Sequence, residues 1–240
     1  MGVGKRKRYE SMFPGFAFTV GNPSRIPQAT SCLIQSLQSV LSDTKESVTE
    51  NGKSLSDLLA EEMDEMKSNK KRLQSAGDLC RGIPYIKLSQ PCEHKPSQLL
   101  HMLLSDTKYP LPAYVARVIP YDWVTHPHLS NATNLIIKEI KPFFENIDKP
   151  SSWNLKMGKH SMGSIDKAKL LEVLIDHIPD RHEPSVMSAE WTLLVDITPV
   201  MCGMALVRDY ETLFEFKIGK LQDERNKAIG LDLDQEHQID

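Results

Sequence analysis

Hydrophobic and polar positions sort most cleanly over residues 153–221. Trp153-Asn154-Leu155-Lys156-Met157 alternates apolar with polar, the period of a half-buried strand. After Gly158-Lys159-His160-Ser161-Met162-Gly163, apolar residues recur at Ile165, Ala168, Leu171, Leu174, Ile175 and Ile178, a spacing of three and four that lays one stripe along a helix. Ser164 stands at the expected N-cap, Asp166 suits the first turn, and Pro179 closes the far end. Trp191-Thr192-Leu193-Leu194-Val195-Asp196-Ile197 is apolar enough for a strand inside a sheet. Pro199 breaks it, and a second strand pattern runs over 201–207. Strand, helix, strand, strand predicts an α+β unit with a helix packed on one face of a sheet.

Upstream, residues 13–20 read as a strand and Asn22-Pro23-Ser24 as a turn. Ala29, Cys32, Leu33, Leu37, Val40 and Leu41 then form a helical stripe. Residues 42–54 are polar and aperiodic, which predicts a loop. Leu55, Leu58, Leu59, Met63, Met66 and Leu73 predict a second helix, with Glu61 and Glu62 early and Lys70, Lys71 and Arg72 late, the order that suits a helix dipole. Lys67, Lys70, Lys71 and Arg72 fit a solvated face better than a phosphate-contacting strip. Residues 83–88 read as a strand with an edge-like Pro84, 96–104 as a short helix and 113–119 as a further strand. Pro110-Leu111-Pro112 divides the chain. The expected organisation is a basic tail (1–12), an amino-terminal α/β region (13–112), a second α+β domain (113–221) and an acidic, unstructured tail (222–240).

The chain has 240 residues, 40% hydrophobic and 25% charged, ample for real cores and contrary to wholesale disorder. Its formal net charge of -3 and pI of about 6.3 give no bulk basicity, so nucleic-acid binding would need a local strip of Lys and Arg. Lys5-Arg6-Lys7-Arg8 fits a solvated tail, a nuclear address or an RNA-contacting arm. Cys32, Cys80, Cys92 and Cys202 have no repeated spacing and no leader pattern ahead of them, which predicts reduced thiols in an intracellular compartment. No apolar run approaches the roughly 20 residues that cross a bilayer, so no membrane partner is expected.

There is no Gly-rich phosphate loop ending in Gly-Lys-Ser/Thr and no strand followed by Gly-x-Gly-x-x-Gly, so no nucleotide, S-adenosylmethionine or coenzyme is expected. Residues 158–163 lack the Gly-x-Ser-x-Gly spacing of a nucleophile elbow. Cys92 and His94, with Cys80 and His101, hold only one tight pair, which reads as an incidental cluster and not as zinc knuckles. His126 and His128 read as loop residues, and His177 as a favourable charge at a helix C-terminus. Asp196, in an apolar strand, must cap a neighbouring backbone or meet Arg208, because an unpaired buried carboxylate is costly. Trp153 and Trp191 open strands and read as core anchors. Trp123 is expected to be more exposed, stacked on a nucleotide or packed at a junction.

The run from Trp191 to Ile197, then Val200-Met201-Cys202-Gly203-Met204-Ala205-Leu206-Val207-Arg208-Asp209-Tyr210 and the closing 214–221, resembles the THUMP domain. In particular it resembles the stand-alone THUMP proteins that act as tRNA-binding adaptors for cytidine acetylation. Ala116-Arg117-Val118-Ile119-Pro120, the helix ending Lys141-Pro142-Phe143-Phe144, and the strand at 13–20 extend the resemblance over most of the chain. It implies a THUMP-like second domain, with helices packed on a mixed sheet, after an α/β region, and a protein that does no chemistry. Such a protein binds tRNA and presents it to a separate RNA cytidine acetyltransferase for acetylcytidine formation in the D arm, in the nucleus or nucleolus and also in the cytoplasm. Structured RNA is read largely through phosphates and 2′-hydroxyls. The resemblance assigns RNA contacts to Lys156, Lys159, His160, Lys167 and Lys169, with Arg208 next. Where family members carry an Arg and Asn run, this chain has Gly158-Lys159-His160-Ser161, which keeps donors but loses bidentate guanidinium contacts. Two alternatives stand beside this: a protein-interaction module of the same fold that does not bind RNA, and an RNA-modifying enzyme whose catalytic residues follow no recognised motif.

Overall fold

The computed structural model describes residues 12–46, 72–89, 92–159 and 165–236. The chain is α+β, built from two sheets. The first contains β1 (Gly15–Val20), β2 (Leu73–Cys80), β3 (Ile83–Leu88) and β4 (Val115–Tyr121) in the order β2-β3-β1-β4, every neighbour antiparallel. With α1 (Ile26–Glu46) after β1 and α2 (Pro96–Ser105) after β3, the described elements follow the split βαββαβ pattern of ferredoxin-like layers. Alternation along β1 sends Phe16 and Phe18 into the core with Leu33, Leu37, Leu99 and Leu103, and Ala17 to the other face with Tyr85 and Tyr121. Asn22 accepts from Ser24 N at 3.0 Å and ends β1, and Pro96 enters α2 at its first turn.

Several expectations in this half shift by the register of the sheet. Helix α1 runs to Glu46, past the expected loop boundary at 42. Most of the second helical pattern lies outside the described residues. Its last apolar position, Leu73, instead begins β2, where pairing with Leu88 buries it in the core. Strand β3 is interior, flanked by both β2 and β1. Pro84 is tolerated because β1 pairing stops at Ala17↔Tyr85, leaving the proline opposite β2 alone, at Asp78. The strand after Pro112, β4, completes the first sheet, since residues 115–121 pair along the whole of β1.

The second sheet contains β5 (Trp123–Thr125), β6 (Ser152–Lys159), β7 (Glu183–Pro184), β8 (Trp191–Ile197) and β9 (Cys202–Arg208), in the order β5-β9-β8-β6-β7. β6 is parallel to both β7 and β8, while β8–β9 and β9–β5 are antiparallel, so the sheet is mixed as expected. One face carries α3 (Leu129–Leu135), continued through a π-helical turn (Ile136–Ile140) into α4 (Lys141–Glu145), and α5 (Lys167–His177). Ile136, Ile140, Phe144, Leu170 and Leu174 meet Trp153, Leu155, Leu193 and Val195 there. The N-cap of α5 is Asp166, which accepts from Ala168 N at 3.4 Å, and not Ser164, which lies outside the described residues.

The opposite face of the β8–β9 hairpin joins the first layer. Leu194, Ala205 and Val207 share a core with Phe16, Val118 and Leu103. Helix α6 (Ile218–Glu236) occupies the stretch whose composition predicts an unstructured tail. It is held by buried Ile218 and Leu221 and by Arg225, whose guanidinium donates to the carbonyls of Leu104 at 2.9 Å, Tyr109 at 2.9 Å and Asp106 at 3.1 Å, capping the end of α2.

Candidate nucleic-acid interface

A cleft of about 280 Å³ opens where β4 of the first sheet faces β6 and β8 of the second. Alternation along β6 decides its chemistry. Trp153, Leu155 and Met157 turn toward the helices, which leaves Lys156 on the other side, beside Leu194 in register. Lys167, the first residue of α5, reaches the same cleft, as does Arg117 from β4. Lys156 is anchored by Glu211 at 3.7 Å and Lys167 is exposed.

Arg117 is held from below by the segment that leads into α6. Its Nε donates to the Glu215 carbonyl at 2.9 Å and its Nη2 to Glu215 Oε2 at 2.5 Å, while Lys217 Nζ lies 2.7 Å from the same carboxylate oxygen. Arg117 also bridges to Lys217 through the backbone. The hydrogen bond from Lys217, with the nearby positive charges of Arg117 and Lys156, holds the Glu215 carboxyl below its ordinary range against the opposing effect of burial. Phe214, Glu215 and Phe216 have φ of 53°, 55° and 61°, three successive side-chain-bearing residues in the left-handed region. Past Arg117 the surface continues into a shallow recess lined by Lys217, Gly219, Lys220 and Tyr114, with the Arg25 guanidinium 5.1 Å from the Tyr114 ring centroid. A basic track of Lys167, Lys156, Arg117, Lys217, Lys220 and Arg25 thus crosses from the second sheet to the first layer, past the amino-terminal turn of α6.

Of the residues singled out in sequence, Lys156 and Lys167 come together. Lys169 is exposed on α5 but does not line the cleft. Arg208 is elsewhere. It sits at the far end of β9, paired with Glu190 at 3.1 Å and stacked over Trp191 at 4.2 Å, and it does not meet Asp196. The Lys159 side chain and the whole of His160 lie outside the described residues. Arg117, Lys217 and Lys220 escape the sequence reading. Arg117 had a signal, a charged position inside a strand otherwise apolar, whereas Lys217 and Lys220 join it only through tertiary folding.

A second cleft, of about 440 Å³, shares no lining residue with the first. Trp123, Phe143, Trp191 and Leu206 form its apolar wall, with Lys95, His101 and Arg208 at its rim. Trp123 packs at the junction: its indole N–H donates to Glu139 at 3.0 Å and Lys95 lies over its ring at 4.4 Å. At the base, both oxygens of buried Asp122 accept from Ser97, at 2.7 Å from N and 2.6 Å from Oγ. Burial nevertheless pushes its carboxyl up to about 6. His101 pairs with Asp209 at 2.9 Å, and among the described residues no three His, Cys, Asp or Glu side chains gather as a metal site. Burial pushes the Cys202 thiol up to about 12, which keeps it protonated and unreactive. No helix among the described residues is long and apolar enough to cross a membrane.

The chain matches no protein-family model and no curated protein sequence. Among solved structures it is similar to PH1313 from Pyrococcus horikoshii Ot3, with a TM-score of 0.46 and 10% identity over 82% of this chain and 55% of that one. It is also similar to a 4-thiouridine synthetase in complex with RNA and bound ATP, with a TM-score of 0.42 and 9% identity over 82% of this chain and 42% of that one. The THUMP domain of THUMP domain-containing protein 1 aligns with 32% of this chain and 80% of its own length, with a TM-score of 0.29 and 11% identity. This chain spans about half the length of the first two. These likenesses concern the arrangement of elements alone.

Proposed function

We propose that this protein is a non-catalytic tRNA-binding adaptor that presents tRNA to a separate RNA cytidine acetyltransferase for acetylcytidine formation in the D arm. The observation that carries the RNA-binding part is the inter-sheet cleft, where Lys156, Lys167 and Arg117 converge although the chain as a whole is acidic. A handful of well-placed cations is enough, because each phosphate neutralised releases condensed counterions. The track from Lys167 to Lys220 is supplied by elements of both layers, which suits recognition of a folded RNA by shape. The adaptor step rests on the resemblance of residues 191–221 to stand-alone THUMP proteins. Tethering tRNA and enzyme on one scaffold would raise the effective concentration of target at the active site. A nuclear or nucleolar site of action belongs to the same proposal.

A protein-binding role has its own support in the loop before β8, where Val186 is 82% and Met187 77% exposed, an apolar tip that an adaptor could offer to its enzyme. The decisive experiment is nucleoside mass spectrometry on purified tRNA from cells with and without the protein. Loss of acetylcytidine from tRNA with retention in ribosomal RNA is the expected result, and unchanged tRNA acetylcytidine would refute the adaptor role.

A further inference from the structure

The Glu215 carboxylate lies in a setting that otherwise suits a phosphate. One of its oxygens takes both the Arg117 guanidinium, at 2.5 Å, and the Lys217 ammonium, at 2.7 Å, and Lys156 adds to the positive field around it. Two cations converging on one anionic oxygen is the arrangement a nucleic-acid phosphate takes up between Arg and Lys. The three groups are only partly covered, with side-chain exposures of 31% for Arg117, 39% for Glu215 and 40% for Lys217, so an incoming anion can reach them. They also stand at the centre of the basic track, since Arg117 lines both the inter-sheet cleft and the recess beyond it.

The backbone delivers this carboxylate by an unusual route. Phe214, Glu215 and Phe216 all hold positive φ, a region that residues with a Cβ rarely visit singly and still more rarely in succession. The turn buries Phe216, and it aims both the carbonyl and the carboxylate of Glu215 at one arginine. Strain of this kind collects where a particular placement of a group is required.

We propose that Glu215 is a built-in phosphate surrogate. It occupies the Arg117–Lys217 subsite until a phosphate of the bound RNA replaces it. This deepens the RNA-binding reading above and rests on it. The subsite stays closed to loose polyanions, because a phosphate must displace a carboxylate already in place. An RNA that engages Lys156 and Lys167 at the same time brings the further contacts needed for that exchange. Glu215 is therefore a specificity-determining residue that lowers affinity in order to select shape.

The test compares wild-type protein with Glu215→Gln and with Glu215→Asn, the second because Asn accepts the left-handed backbone well and guards against a variant that fails to fold. Affinity for total tRNA and for poly(U) is titrated across salt concentrations. Both variants should bind tRNA about 3–10-fold more tightly at low salt, and their salt dependence should steepen by roughly 0.7–0.9 in log–log slope, the signature of one added phosphate contact. Poly(U) binding should rise by a larger factor than tRNA binding. RNA binding seen only in the variants would overturn the surrogate, since no phosphate would then displace the carboxylate in the wild type. If wild type binds tRNA and both variants bind equally or more weakly with no steeper slope, Glu215 merely positions Arg117 and the surrogate is overturned alone. If none of the three proteins binds RNA, the RNA reading falls, and this inference falls with it.

Discussion

The Tyr121 hydroxyl donates a hydrogen bond to the Asp196 carboxylate across the seam between the two sheets, with both residues buried. Tyr121 ends β4 of the first layer and Asp196 lies near the end of β8 in the second, so one charge-assisted contact ties the layers where their cores meet. Tyr121→Phe removes the donor and keeps the ring. Urea unfolding should report a loss of about 1.5–3 kcal/mol. Retained stability would mean that this hydrogen bond adds nothing to the hold between the layers.

Gly203 lies directly under the Tyr121 ring. A Cβ at this position would sit 2.3–2.5 Å from three ring atoms, so the ring must move or the strand must bow. Gly203→Ala should cost roughly 1–3 kcal/mol by overpacking, seen as a lowered Tm. Combined with Tyr121→Ala, which clears the space, the same substitution should cost far less than it does alone.

The cations of the basic track divide into those inside the cleft and those outside it. Lys156→Ala and Lys167→Ala should each weaken tRNA binding and reduce the log–log salt slope by roughly 0.7–0.9. Lys169→Ala, on the same helix as Lys167 but away from the cleft, should change both by much less. Equal losses at all three positions in a salt titration would point to a diffuse field and not to a site.

Asp122 gives the protein a pH dependence of definite sign. Its folded carboxyl titrates at about 6 against an ordinary 3.8, so between these values the folded state binds more protons than the unfolded state. Stability from this group therefore falls as pH rises through the window. Relative to Asp122→Asn, the wild type should lose about 2 kcal/mol between pH 4.5 and pH 7.5, measured by denaturant unfolding at the two pH values. An identical pH trend in both proteins would contradict it.

What could be read from the residues alone is instructive in its unevenness. The helix after Asp166 and the stripe of α1 show in periodicity, because each has one buried face and a local pattern that repeats it, while the strands at 191–197 and 201–207 show as nearly continuous apolar runs because both of their faces are buried. The helix α6 shows in neither way. Its polar sequence reads as a tail, and what orders its start is Arg225 reaching the carbonyls at the end of α2 and Leu221 packing into a core assembled from distant strands. Leu73 fits a helical stripe in sequence for the same kind of reason: its burial comes from pairing with Leu88, fifteen positions away.

The site divides along the same line. Sequence determined that the chain is α+β, that Lys156 falls on the polar side of β6 and that Lys167 belongs to a helix, since alternation and helical periodicity act within a few residues; the cap at Asp166, in place of the expected Ser164, came from the structure. Only the tertiary structure decided which cations share a surface. Arg117 stands 39 positions from Lys156 and 98 from Glu215, and the three meet because β4 closes the first sheet against the hairpin of the second. It also separated Arg208 from that surface, since the antiparallel register of β8 with β9 places it beside Trp191, about 13 Å along the strand from Val195. Local pattern sets which face a side chain takes, and long-range pairing sets what that face meets.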